Sequence, residues 1–283
     1  MRFTYFITLL AAFAWQNHAG AVDTLGRIKA NGEIRLGYFT TSAPFSSQGP
    51  NKTPEGYSVE LCQRIAAGIQ RQLGLAQLKT QWVALDLGDR VNAVRSGRID
   101  IECGTTTWSF ARQREVEFSL MTFIDGASML ATADSGIQRI NDANGKKIAV
   151  IRGTTTEKAL ASALAKEKVT ANVSLVDTRE QGFAMVADGR VDAFASDRFL
   201  LMNGLHSLKS AKPLRLLDED FSVEPYALAL PRDDPAFRLA VNRALADVFR
   251  SGEIMKVYER WLGQFGQPSL LLSALYYLQQ VPE

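Results

Sequence analysis

The sequence is poor in side chains that do covalent chemistry. Histidine occurs only at 18 and 206, and cysteine only at 62 and 103. So few histidines leave little scope for a hydrolase, because histidine is the usual general base near neutral pH. Two cysteines and an isolated His206 make no zinc framework, and no glycine-rich phosphate loop of P-loop or dinucleotide type occurs. The chain does carry groups suited to holding charge: the run Thr105-Thr106-Thr107 followed by Arg112, the segment Gly153-Thr154-Thr155 ahead of a helical stretch, and Asp197. An arginine is a planar donor fork that fits a carboxylate, and the amides at a helix start favour an anion. Taken singly, each such residue is ordinarily a surface charge, a polar loop or a helix cap. Taken together, they would answer both charges of a zwitterion, whose removal from water is costly unless both are paired.

Elements must position these groups, and the composition allows them. Of 283 residues, 46% are hydrophobic and 22% charged, which suits an ordinary globular chain long enough for one large domain or two lobes. A formal net charge of +2 with no Lys/Arg cluster argues against a nucleic-acid partner, which needs clustered basic residues to neutralise phosphates. Residues 1–21 follow the pattern of a secretory signal peptide: Arg2, an apolar run to Trp15, then Ala19-Gly20-Ala21. The run is too short for a membrane span, which needs about 20 apolar residues, and no cysteine stands at the cleavage point to carry a lipid. Cleavage after Ala21 would leave 31 basic and 30 acidic residues in an extracytoplasmic compartment where disulfides are permitted.

The hydrophobic pattern predicts a strand over 33–38, loop over 39–56, a helix over 58–73 closed by Gly74, a strand over 79–84, a helix over 89–96 stopped by Gly97, and a strand over 99–103. This βαβαβ order predicts a parallel sheet wrapped by helices. The same grammar returns with strands over 147–151, 172–176 and 191–195. A helix opens at Thr154 with capping-box spacing to Glu157, and another covers 179–188. Val94-Arg95-Ser96-Gly97-Arg98-Ile99-Asp100-Ile101 is echoed by Val186-Ala187-Asp188-Gly189-Arg190-Val191-Asp192-Ala193, which supports two similar lobes. Extended stretches at 123–133 and 224–231 connect them, and helices over about 233–251 and 253–263 have no sheet of their own and must pack on the first unit. Residues around 270–278 are too short to span a membrane and are expected to dock as a C-terminal helix. Two extended crossings between two α/β lobes form a hinge layout with a ligand held between the lobes.

At this point the chain resembles the extracytoplasmic solute-binding proteins of polar amino-acid ABC transporters, and among them the periplasmic glutamate/aspartate-binding proteins. The resemblance rests on the order and spacing of Ala43-Pro44-Phe45, Gly56-Tyr57-Ser58, the segment from Asp100 to Thr107, Arg112-Gln113 with Phe118-Ser119, Gly153-Thr154-Thr155, Gly189-Arg190 with Ala193-Phe194, Ser196-Asp197, and Arg232-Asp233-Asp234-Pro235. It implies a type II, two-lobed periplasmic binding-protein fold of class α/β. Each lobe would be a mostly parallel sheet flanked by helices, and a two-strand hinge would join them. Residues 22–128 with 229–283 would form lobe 1 and 129–228 lobe 2. The implied protein is a monomer without catalysis or cofactor, which takes up a free amino acid and presents it to permease subunits. Arg112 would hold the ligand α-carboxylate, Thr107 and Thr155 would add donors, Thr105 would help bind the ammonium group, and Asp197 would pair with it.

The side-chain pocket departs from the pattern of the acidic amino-acid binders. Phe39 stands where they carry an arginine and Leu87 where they carry a serine, and a contacting histidine aligns with Arg179. Arg90 is retained. Arg90, with Arg179, would keep an acidic ligand. Alternatively, Phe39 and Leu87 make the pocket apolar enough for a neutral or bulkier amino acid, and the sequence favours this second reading. Two further classes stand beside transport. One is a dehydratase of the cyclohexadienyl type on the same architecture, for which Glu102 is the nearest candidate acid; the other is a sensor module. Cys62 and Cys103 are expected near each other, either as a disulfide or as two buried thiols.

Overall fold

The computed structural model describes residues 23–210 and 212–282, so the expected signal peptide at 1–21 lies outside the described residues. Asp23 caps α1 (Thr24–Asn31) by accepting from the Gly26 amide. The chain then enters β1 (Glu33–Phe39). The Pro- and Gly-rich stretch that follows is not all loop. It holds a small antiparallel sheet of β2 (Thr41–Ser42), β3 (Ser46–Gln48) and β4 (Pro54–Glu55), strands too short for any periodicity to reveal. Then come α2 (Tyr57–Gln72), β5 (Lys79–Leu85), α3 (Arg90–Arg95) and β6 (Ile101–Glu102). Both β5 and β6 pair in parallel with β1, the arrangement that βαβαβ order implies.

After α4 (Phe110–Gln113), the long strand β7 (Glu117–Thr132) crosses to the second half of the molecule. There β8 (Lys147–Ile151), α5 (Thr155–Lys166), β9 (Asn172–Val176), α6 (Arg179–Ala187), β10 (Ala193–Asp197) and α7 (Arg198–Ser207) follow in order, with β8 parallel to both β9 and β10. The chain passes through β11 (Leu214–Leu216) and returns along β12 (Ser222–Leu230), antiparallel to β7 from Ser222 opposite Ala127 to Leu230 opposite Glu117. The two crossing strands therefore join both halves into one continuous mixed sheet, ordered β5-β1-β6-β12-β7-β10-β8-β9 with β11 beside β7.

The sequence echo marks the same local structure twice. Gly97 and Gly189 each take φ +68° after a helix, a conformation that favours glycine. Ile99 and Val191 then donate back to Ala93 and Met185 carbonyls. Asp100 accepts from the Arg35 amide and donates its own amide to the Arg35 carbonyl; Asp192 does the same with Lys147. Each aspartate thus ties its strand to the neighbouring parallel strand, β1 for Asp100 and β8 for Asp192. This tie explains why β10 begins at Ala193, two residues later than the hydrophobic pattern suggests.

The C-terminal helices α8 (Pro235–Arg250), α9 (Glu253–Leu262) and α10 (Leu270–Leu278) pack on the first half. Ile65 and Ile69 of α2 share a core with Val241, Leu245, Val257, Leu272 and Tyr276, each worth roughly 1.5–3 kcal/mol of burial for a large apolar side chain. A disulfide joins Cys62 on α2 to Cys103, the residue after β6, which decides between the two states left open above. Where the halves meet, Phe45 lies edge-on to Tyr57, Phe123, Phe199 and Tyr226. This aromatic cluster draws on the first half, both crossing strands and α7.

Candidate functional site

Arg90, Thr105, Thr107, Arg112, Thr155, Arg179 and Asp197 all line one cavity of about 20 Å³ between the two halves, roughly the room of one ordered water. The first half contributes Arg90 at the start of α3, the two threonines after β6, and Arg112 on α4. The second half contributes the first turns of α5 and α6 and the C-terminal end of β10. Leu87, Ile151 and Ala195 supply the apolar part of the wall. Phe39 lies elsewhere. Its ring is 1% exposed and packs with Leu85, Val94, Ile99 and Val116. A Cβ at Gly104 would sit 2.2 Å from both the Phe39 ring and Glu102 Oε1, so glycine is required for this close approach. Of the two apolar replacements expected in the pocket, only Leu87 is in the wall.

The wall is electropositive. Arg90 makes no hydrogen bond and no ion pair within 4 Å among the described residues, although it is buried, and the Arg112 guanidinium donates only to the Thr107 carbonyl, at 2.8 Å. Burial, then the neighbouring charge of Arg90, lowers the Arg112 pKa to about 10, still well above neutrality. Two arginines held in this way are short of an anion. Arg179 is committed differently: its Nη1 crosses the cleft to the Thr41 carbonyl at 3.1 Å and Ser42 Oγ at 2.9 Å. These contacts join the two halves across the cavity.

The hydroxyls are organised by a residue the sequence reading missed. Glu224 on β12 is buried, and its Oε2 accepts from both Thr107 and Thr155 Oγ1 at 2.7 Å. Each threonine has one hydroxyl proton, so both protons are spent on Glu224 in this closed form. The donors left for a carboxylate are the first-turn amides of α5, which have no intrahelical partner. Thr154 accepts from the Glu157 amide as a cap, while Glu157 reaches back to the Gly153 amide at 2.6 Å, one residue short of a full capping box. Asp197 accepts from Thr156 Oγ1 at 2.8 Å and from the Tyr226 hydroxyl at 2.5 Å. Glu224 and Tyr226 escaped the sequence reading because both lie in a stretch read only as an extended crossing.

Residues 34–264 match the model of the bacterial extracellular solute-binding proteins, family 3. The chain belongs to that family. Among its relatives, the L-glutamate/L-aspartate-binding protein of Pseudomonas aeruginosa is 33% identical over 243 residues, covering 85% of this chain and 80% of that protein. The glutamate/aspartate import solute-binding protein of Escherichia coli K12 is 28% identical over the same shares of each chain. Among solved structures, an ancestral arginine-binding protein bound to glutamine superimposes with a TM-score of 0.72 at 27% identity, covering 82% of this chain and 98% of that one. An ancestral amino acid-binding protein described as a precursor of cyclohexadienyl dehydratase gives 0.73 at 26%, covering 85% and 99%.

In this family 3 solute-binding protein, Glu102, the acid singled out for a dehydratase, lies outside the cavity wall but within reach of the charges of Arg90 and Arg112. Glu102 is fully buried beside Gly104. Burial outweighs the opposing pull of Arg90 and raises its pKa to about 7.

Proposed function

We propose that the chain is the periplasmic binding component of an amino-acid ABC transporter and that its ligand is an acidic amino acid, glutamate or aspartate, which it delivers to permease subunits. Arg112 holds the α-carboxylate with the first-turn amides of α5, Asp197 pairs with the α-ammonium near Thr105, and Arg90 takes the distal carboxylate. Residues 22–128 with 229–283, and residues 129–228, act as two lobes that close on the ligand about crossings near 124–133 and 224–231. The observation that carries the acidic ligand is the charge of the wall: three arginines against one aspartate, with Arg90 and Arg112 lacking a carboxylate within 4 Å among the described residues. The contrary preference for a neutral ligand leaned on Phe39 and Leu87; Leu87 does stand in the wall, whereas Phe39 packs in the core. A bound zwitterion adds no net charge, whereas a second carboxylate answers Arg90.

The test is a thermal-shift panel of the twenty amino acids on refolded, ligand-stripped protein, since a ligand of the native state raises Tm by mass action. Glutamate and aspartate are expected to give the largest shifts. Larger shifts with neutral amino acids would overturn the acidic assignment, and no shift with any amino acid would overturn amino-acid binding itself.

A further inference from the structure

Behind Asp197 lies a second carboxylate that ligand binding, as described so far, does not use. Asp125 on β7 is buried, and its Oδ1 accepts from the Gly126 amide at 2.8 Å. Its Oδ2 accepts from the Phe199 amide at 3.2 Å and lies 3.3 Å from the Tyr226 hydroxyl oxygen, which in turn donates to Asp197 Oδ2 at 2.5 Å. The phenol has one proton. The shorter contact assigns that proton to Asp197, so the Asp125–Tyr226 contact is a hydrogen bond only if the proton in it belongs to Asp125. No cation lies within 4 Å of Asp125 among the described residues. The charged and titratable groups around it are Asp197 at the end of β10, Glu224 and Tyr226 on β12, Asp220 before β12, and Arg198 on α7. Arg198 is taken by Asp220 at 2.6 Å and by Ser128 Oγ at 3.3 Å. The cavity arginines Arg90, Arg112 and Arg179 face Asp197 from the far side.

We propose that Asp125 is a protonated positioning residue that donates to Tyr226, which donates to Asp197, so that Asp197 alone presents negative charge to the ligand's ammonium group. The inference rests on the amino-acid reading for its ligand and on local geometry for its proton. Two anionic carboxylates on one phenol, out of water and with the cavity arginines only on the far side of Asp197, would repel each other, and a neutral Asp125 removes that cost. Burial first, then Asp197, pushes the Asp125 carboxyl well above the usual aspartate range, which agrees with the geometry. Asp125 and Tyr226 also sit on the two crossing strands, so the orientation of Asp197 is fixed from where the halves join.

Infrared spectroscopy of the ligand-free protein at pH 7 tests the proton directly. A protonated carboxyl band that moves on deuterium exchange and on carbon-13 labelling of the aspartate carboxyl is expected. The band should persist in Glu102→Gln, which removes the other buried carboxyl whose pKa is raised, and vanish in Asp125→Asn. Its absence from folded wild-type protein overturns the proposal. In glutamate titrations, Asp125→Asn, whose amide can donate to Tyr226, should bind within about threefold of wild type, whereas Asp125→Ala and Tyr226→Phe should weaken binding roughly tenfold or more. Equal losses for the Asn and Ala variants would mean that the charge matters and would overturn it too. If the band is present but no amino acid binds, the ligand assignment fails and the proton assignment stands. If binding depends on Arg112 but the band is missing, only the present proposal falls.

Discussion

Arg112 and Arg90 line the same wall; the proposed function gives them different parts of the ligand, so their substitution should separate affinity from selectivity. Arg112→Ala removes the partner of a group every amino acid shares, so all ligands should lose roughly a hundredfold or more in affinity, as expected when one member of a buried charge pair is deleted. Arg90→Met should weaken glutamate and aspartate while leaving neutral amino acids little changed or improved. Isothermal titration with glutamate, aspartate and glutamine distinguishes the two, and equal losses for all three in Arg90→Met would refute the role given to Arg90. Glu102 makes a separate prediction about stability. Its folded pKa of about 7 stands above the ordinary 4.5, so between those values the native chain holds a proton that the unfolded chain releases. Stability must then fall as pH rises through that window. Glu102→Gln should be near neutral at pH 4.5 and stabilising by up to about 3 kcal/mol above pH 7, read from urea unfolding at several pH values. A variant-minus-wild-type difference that does not grow with pH would contradict this.

Between elements, the disulfide ties α2 to the strand end that launches the threonine run. It closes a sequence separation of 41 residues, and the loop-entropy relation puts such a constraint at about 4 kcal/mol. Cys62→Ser with Cys103→Ser should lower unfolding free energy by a few kcal/mol, measured in urea under oxidising conditions. Wild type unfolded in urea under reducing conditions, with the Cys62–Cys103 bridge opened, should give a matching loss. Since Gly104 follows directly, the double variant should also loosen the packing of Phe39 and Glu102, visible as faster amide exchange at residues 104–107. Unchanged stability would show that α2 and β6 are held by packing alone. The paired aspartates at 100 and 192 follow a similar logic on the two halves, each carboxylate bonding the neighbouring strand's backbone.

For the whole molecule, the proposed two-lobe action makes closure a balance between contacts across the cleft and the freedom of an open form. Arg179 reaching Thr41 and Ser42, and Glu224 holding Thr107 beside Thr155, are contacts across the cleft that need no ligand. They favour a closed state before the ligand arrives, and a ligand that touches both halves adds to the same bias. Arg179→Ala should therefore open the ligand-free protein, seen as a larger radius of gyration in solution scattering. It should also weaken all bound amino acids by a common factor of roughly ten or more, the worth of a charged hydrogen bond. A change in the order of ligand preference would instead make Arg179 a reader of the ligand side chain.

Local periodicity and turn chemistry determined most of the elements: the βαβαβ order of each half, the glycines that end helices, and the repeated Gly-Arg-x-Asp turn are consequences of neighbours in the chain. The cavity residues on loops and helix starts were legible only through the family pattern spread over most of the sequence; their types suit a zwitterion, but singly each reads as a surface charge, polar loop or cap. What only the tertiary structure decided depends on residues distant in the chain. Phe39 was placed in the core by the empty space over Gly104, and Arg179 was drawn across the cleft by a strand about 138 positions away. Glu224, Tyr226 and Asp125 acquired roles only because two long strands lie side by side at the junction. No local signal marks them, since a buried carboxylate on an extended stretch reads as a surface residue until its partners are known. Cys62 and Cys103 were likewise undetermined until α2 packed on the sheet and set them 6.1 Å apart at Cα.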